Sequence, residues 1–195
     1  MTEGAPLAFA DAVRALRDAL DELGAPWVII GGVAVIARGV PRLTVDVDAT
    51  LVGAQVSLEQ AIDIFGRHDI VARIPSAIGF ARDRHVLLLR HDPSGVPLDV
   101  SLAWLPFEEH AIHHGDEVDF AGVTIRVARA EDLVIYKVVA GRPQDIDDVE
   151  KLLLLYGPTL DLVRVRAVLT EFAEALDDPA RLTTLEHLLQ RTGLG

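Results

Sequence analysis

Apolar residues at positions 9, 12, 13, 16, 20 and 23 fall on one face of a helix, which predicts a helix over Phe9–Leu23. Gly24 and Pro26 stop it, and Trp27–Ile30 follows as a short continuous apolar run of the buried-strand type. Val33–Arg38 reads as a short helix closed by Gly39 and Pro41, and Leu43–Val52 alternates as a second strand. Ser57, with Gln60 three residues later, starts a helix that reaches His68, and Ile70–Ile74 reads as a strand. The stretch 75–83 has no clear period, and Ile78-Gly79-Phe80 is read as a loop over a site. Val86–Arg90 and Val96–Ala103 are expected strands joined by the turn H-D-P-S-G. A helix over Phe107–His114 precedes a hairpin, Glu117–Phe120 and Val123–Val127, around Ala121-Gly122. The rest is helical: Ala130–Ala140, Gln144–Tyr156, Leu160–Leu176 and Pro179–Arg191, punctuated by Pro158 and Asp177-Asp178-Pro179. The pattern predicts an α/β (α+β) fold: a mixed β-sheet core flanked by helices over 1–128, and a helical part over 129–195 sharing that core.

Candidate chemistry concentrates in one stretch, Val28–Val52. Its first strand runs into Gly31-Gly32, and its second carries Asp46 and Asp48. Side chains at i and i+2 of a strand share a face, so the two carboxylates project together. On a mostly apolar strand such a pair resists burial, and a bound divalent cation relieves it. Oxygen-only ligands suit magnesium. The paired glycines present bare backbone N–H groups where a phosphate can sit. Thirteen residues separate Gly32 from Asp46, enough for a turn, a two-turn helix and a returning strand. A third acid, Asp99, lies in the strand V-P-L-D-V-S-L, where burial alone would be costly. Three carboxylates around two magnesium ions can hold a triphosphate and activate a hydroxyl for in-line attack.

Bulk properties narrow the setting. With 195 residues, half of them hydrophobic and a quarter charged, the chain can bury a core of ordinary size. It has no cysteine, which excludes disulfides and thiolate metal sites and is compatible with a reducing cytoplasm. The longest apolar run, Trp27–Ala37, has 11 residues, against the roughly 20 that a bilayer crossing needs. M-T-E-G-A-P shows no basic region followed by an apolar run, so no secretory signal is expected. A net charge of −12 disfavours extended DNA binding while leaving room for a local site for a nucleotide or an RNA end.

The string G-G-V-A-V-I-A-R-G-V-P-R-L-T-V-D-V-D, with the later strand acid Asp99, resembles the nucleotidyltransferase superfamily of the DNA polymerase β type. Within it, the chain looks like the AbiEii/MenT-like toxins of abortive-infection and toxin–antitoxin systems, a branch that tends to carry a helical Lys followed by an Arg and an Asp. Here that segment is A-E-D-L-V-I-Y-K-V-V-A-G-R-P-Q-D-I-D-D-V, and the similarity spans about residues 27–155. The resemblance implies that Gly31 and Gly32 cradle the triphosphate. It also implies that Asp46 and Asp48 bind magnesium, that Asp99 completes the metal site or acts as base, and that Lys137 reaches the phosphates. Lys137 follows V-I-Y and precedes V-V-A, and a lysine in so apolar a run needs an anionic partner.

Neighbouring residues stay open. Arg42 is read either as a phosphate contact or as the partner of an acid, and Thr44 points to the face of Asp46. Arg142 and Asp145 are read as nucleotide-binding or as a pair that positions Lys137, and Asp148 as an ordinary dipole partner in a first helical turn. His110 and His114 have the i, i+4 spacing of zinc ligands, but E-E-H-A-I-H-H-G lacks the order that places a general base beside the metal, so a solvated face is expected. His85 and His91 are expected at the surface. The leading expectation is a magnesium-dependent enzyme moving an NMP from an NTP to a hydroxyl on an RNA 3′ end such as tRNA, or on a protein, with a cognate antitoxin as partner and a cytoplasmic location. The alternatives are a non-catalytic nucleotide- or partner-binding member of the fold, and a small-molecule enzyme of the aminoglycoside type.

Overall fold

The structure is a computed structural model that describes residues 4–195; residues 1–3, the start of the expected 1–128 core, lie outside the described residues. The chain divides into two compact units. One comprises the described part of Met1–Ala37 with Arg42–Ala128; the other comprises Arg38–Pro41 with Arg129–Gly195.

The first unit is built on a seven-stranded mixed sheet. Its strands are β1 (Trp27–Ile30), β2 (Val47–Val52), β3 (Ile70–Ala72), β4 (Val86–His91), β5 (Pro97–Ala103), β6 (Asp116–Phe120) and β7 (Val123–Val127), in the order β3-β4-β5-β2-β1-β7-β6. β2 runs parallel to β5 and antiparallel to β1, and β1 runs parallel to β7. Side chains alternate across these strands, so Val47, Ala49 and Leu51 of β2 and Leu98, Val100 and Leu102 of β5 all go into the core. Helices α1 (Gly4–Leu23) and α3 (Leu58–Arg67) bring Leu16, Leu20 and Phe65 to the buried apolar set. Ser57 caps α3 as expected, its side chain accepting from the Gln60 backbone N–H.

Several expected bounds change: α1 begins at Gly4 rather than Phe9, the helix expected over Val33–Arg38 spans Gly31–Ala37, and β3 ends at Ala72 rather than Ile74. β2 begins at Val47 rather than at Leu43, because β1 ends at Ile30 opposite Asp48 and residues before Val47 have no β1 neighbour to pair with. Leu43 and Val45 are exposed there, while Arg42, Thr44 and Asp46 are half-buried. The expected loop at Ile78–Phe80 is instead inside a helix, α4 (Ala77–Arg84). It buries only Ala77 and Ala81, one turn apart, and two small side chains leave no apolar stripe to read. Helices α2 (Gly31–Ala37) and α5 (Pro106–His114) complete the unit. Among the described residues no helix is long and apolar enough to cross a membrane.

The second unit holds α6 (Ala130–Ala140), α7 (Pro143–Tyr156), α8 (Leu162–Ala175) and α9 (Ala180–Arg191). Gly141, at φ +68°, ends α6 in the left-handed conformation that glycine adopts without strain. Leu133, Leu152, Leu169 and Leu189 are buried, one from each helix. Tyr156 Oη donates to the Arg38 carbonyl at 2.7 Å, and Arg164 meets the fully buried Asp132 at 2.6 Å.

Candidate functional site

At the junction of β1 and α2 the chain turns through Gly31 at φ +63°. A Cβ built there would stand 1.8 Å from Asp48 Oδ2 and 2.6 Å from its Cγ, so only a bare backbone fits beside this carboxylate. A Cβ on Gly32 would stand 2.4 Å from Thr44 Oγ1 and 3.3 Å from Arg42 Nη2. Both glycines are thus spaces filled by Arg42, Thr44 and Asp48, the polar residues that the sequence singled out. Thr44 Oγ1 donates to Asp46 Oδ1 at 2.9 Å, fixing that carboxylate two residues before Asp48. Arg42 Nε donates to the Leu43 carbonyl at 3.1 Å.

Asp99 is the direct register partner of Asp48 across the parallel β2–β5 ladder, so the two acids leave the sheet on one face. Burial pushes the Asp99 carboxyl above its usual range and the nearby Asp46 charge adds to this, while Arg73 pulls the other way. Arg73, just after β3, donates its guanidinium to Asp99 Oδ1, and its own backbone N–H is held by the Leu88 carbonyl at 2.9 Å. The oxygen-only set of Asp46, Asp48 and Asp99 suits a hard cation such as magnesium. Among the described residues no three His, Cys, Asp or Glu side chains already stand in a metal-holding arrangement. Asp46 accepts from Thr44 and Asp99 is held by Arg73. The donor chemistry fits the ion.

Lys137, Arg142 and Asp145 belong to the helical unit. Lys137 is 5% exposed, and its Nζ lies 2.9 Å from Asp145 Oδ1 and 2.9 Å from Asp148 Oδ2. Arg142 Nε donates to Asp145 Oδ2 at 2.6 Å and its Nη2 to Oδ1 at 3.2 Å. The anionic partners that so apolar a run demands are therefore two aspartates of the next helix. Asp148, expected as a plain dipole partner, is buried against this ammonium. Burial raises the Asp145 carboxyl, but hydrogen bonds from Arg142 and Lys137 and their charges outweigh it and hold the pKa low.

Arg73 is the residue near the acids that sequence reading passed over. A cation in the run I-V-A-R-I was the available signal, but its pairing depends on strand order. His110 and His114 stack at 3.9 Å between ring centroids, with His114 Nδ1 2.8 Å from the His110 carbonyl. His91 is buried rather than at the surface, its Nδ1 2.7 Å from Ser94 Oγ.

Residues 14–192 match the family model "Nucleotidyl transferase AbiEii toxin, Type IV TA system". The chain belongs to the AbiEii nucleotidyltransferase family. It is accordingly a transferase by family, and the resemblance carried by the glycines and acids is borne out at that level. Its fold is similar to the crystal structure of ANT(2″)-Ia in complex with adenylyl-2″-tobramycin, with TM-score 0.58 and 18% identity over 90% of this chain and 99% of that one. It is similar also to the solution structure of the antibiotic-resistance factor ANT(2″)-Ia, with TM-score 0.54 and 20% identity over 85% and 92% of the two chains. At these identities the likeness is one of fold. No curated protein sequence matches the chain.

Proposed function

We propose that this AbiEii-family chain is a magnesium-dependent nucleotidyltransferase that moves an NMP from an NTP to a hydroxyl. The observation that carries this reading is the shared row of Asp48 and Asp99, with Gly31 leaving room for one of these carboxylates. Asp46, Asp48 and Asp99 would hold two magnesium ions, which when bound neutralise the triphosphate and favour in-line displacement. Gly31 and Gly32 offer backbone N–H groups to the phosphates, Arg42 gives them a cation, and Thr44 keeps Asp46 turned to the site. In the transfer a bond forms between the acceptor oxygen and the α-phosphorus, and the bond to the leaving pyrophosphate breaks. Asp99 is assigned the acceptor proton. The resemblance also assigns Lys137, Arg142 and Asp145 to the nucleotide. Of these, Arg142 has a largely exposed side chain, whereas Lys137 would have to give up a carboxylate to take a phosphate.

The acceptor is proposed to be an RNA 3′ end, tRNA included, or a protein side chain. The family's description as the toxin of a type IV toxin–antitoxin system supports an antitoxin protein as partner. The proposed site of action is the cytoplasm. The deciding experiment incubates purified protein with magnesium and each of four labelled NTPs, then follows label into RNA and into protein. Transfer by the parent and none by Asp46→Ala is expected. No labelled product from either acceptor class, with Asp46→Ala indistinguishable from the parent, overturns the proposal.

A further inference from the structure

We propose that Arg73 is an exchangeable counter-ion of Asp99, holding this carboxylate in the metal-free protein and leaving it when the cation binds. The inference rests on the metal reading above and deepens it. Three observations carry it. The Arg73 guanidinium is bonded to Asp99 Oδ1, one of the oxygens that a cation would need. The pair is a third exposed on both sides, at 32% and 35%, so it is the weak kind of ion pair that a divalent cation coordinated by several carboxylates displaces. Finally, the Arg73 backbone is pinned by its N–H to the Leu88 carbonyl at 2.9 Å, and Leu88 is the register partner of Asp99. The stem of the side chain is therefore fixed beside the acid and only the flexible arm has to move.

Electrostatics gives the exchange its purpose. Arg73 balances the charge of Asp99, and a bound cation would take over that role. Metal loading is thus a cation-for-cation exchange.

The test uses the full chain without nucleotide. Calorimetric titration with Mn2+ should show Arg73→Gln binding up to about fivefold more tightly than the parent, since the competitor is gone. The Arg73 Nε–Hε NMR resonance, assigned by its loss in Arg73→Gln, should move during a Mg2+ titration with the midpoint of binding. In Asp99→Asn it should start at the displaced position without metal. If Arg73→Gln does not fold, the resonance is assigned by its loss in Arg73→Lys, and the Asp99→Asn spectrum decides. A resonance that stays still while the parent saturates with Mg2+, or an Arg73→Gln affinity equal to or weaker than the parent's, overturns the exchange and leaves the metal site standing. Failure of the parent to bind either ion overturns the metal reading itself, and the exchange with it.

Discussion

Replacing Gly31 by alanine tests the packing at the centre of the candidate site. The new Cβ would lie 1.8 Å from Asp48 Oδ2, 2.6 Å from Cγ and 2.8 Å from Cβ. Rotation about the Asp48 Cα–Cβ bond removes the first two clashes but not the third, so the backbone of the Ile30–Asp48 pair must also give. The left-handed φ of +63° costs a non-glycine residue roughly 1–2 kcal/mol, and overpacking of this kind adds about 1–3 kcal/mol. The sum, ~2–5 kcal/mol, corresponds to a fall in Tm of about 4–20 °C for a chain of this length. Gly24 provides the internal control: its φ is +70°, but a Cβ there meets nothing within 4 Å. Gly24→Ala should show the backbone cost alone, and calorimetry of both variants isolates the clash. Gly31→Ala should in addition lose Mn2+ affinity, which Gly24→Ala should keep. If the two variants melt within 1 °C of each other, Asp48 is not where the structure puts it.

Four further outcomes are expected. Lys137→Met should cost about 3–5 kcal/mol in urea unfolding, because Asp145 and Asp148 lose the ammonium that compensates them inside the helical unit; a loss below about 1 kcal/mol would contradict that pairing. The Asp145 pKa is depressed in the fold, so its stabilisation is present above the unfolded carboxylate value of about 3.9 and is lost as pH falls through the lower folded value. Urea midpoints from pH 6 down to pH 2 should therefore drop less for Asp145→Asn than for the parent, and parallel curves would refute the shift. Tyr156→Phe removes the 2.7 Å bond to the Arg38 carbonyl and should cost about 0.5–1.5 kcal/mol by thermal unfolding, with no change at all arguing against it. Thr44→Val, which frees the Asp46 carboxylate, should slow labelled-NMP transfer more than it lowers Tm, and the reverse ranking would make Thr44 structural.

Much of the fold was legible because its signals are local. β1 and β7 have the expected bounds, β1 as a continuous apolar run between Pro26 and Gly31 and β7 as an alternating run after Gly122. α6 has the expected bounds too, Ala130–Ala140. What escaped was non-local or small. The start of β2 depends on where β1 stops pairing, and α4 hides behind two alanines. At the candidate site, the glycines and three acids stood out as residue types whose burial demands a reason. Arg73 did not, because its meeting with Asp99 requires β3, β4 and β5 to lie side by side. Lys137 was correctly marked as needing an anion, but its partners lie 8 and 11 positions on, across the turn from α6 to α7.

The six-pair ladder between β2 and β5 has an implication for where this protein tolerates change. A slip of one residue would set Asp48 beside Leu98 or Val100 and turn Asp99 to the opposite face. What forbids the slip is not the acids, which repel each other, but Val47, Ala49 and Leu51 meeting Leu98, Val100 and Leu102 on the buried side. The alignment of the two carboxylates is thus inherited from a hydrophobic surface that no nucleotide would touch. Variants that repack that surface should disable the chemistry by misaligning two strands, while every polar residue of the site remains in the chain.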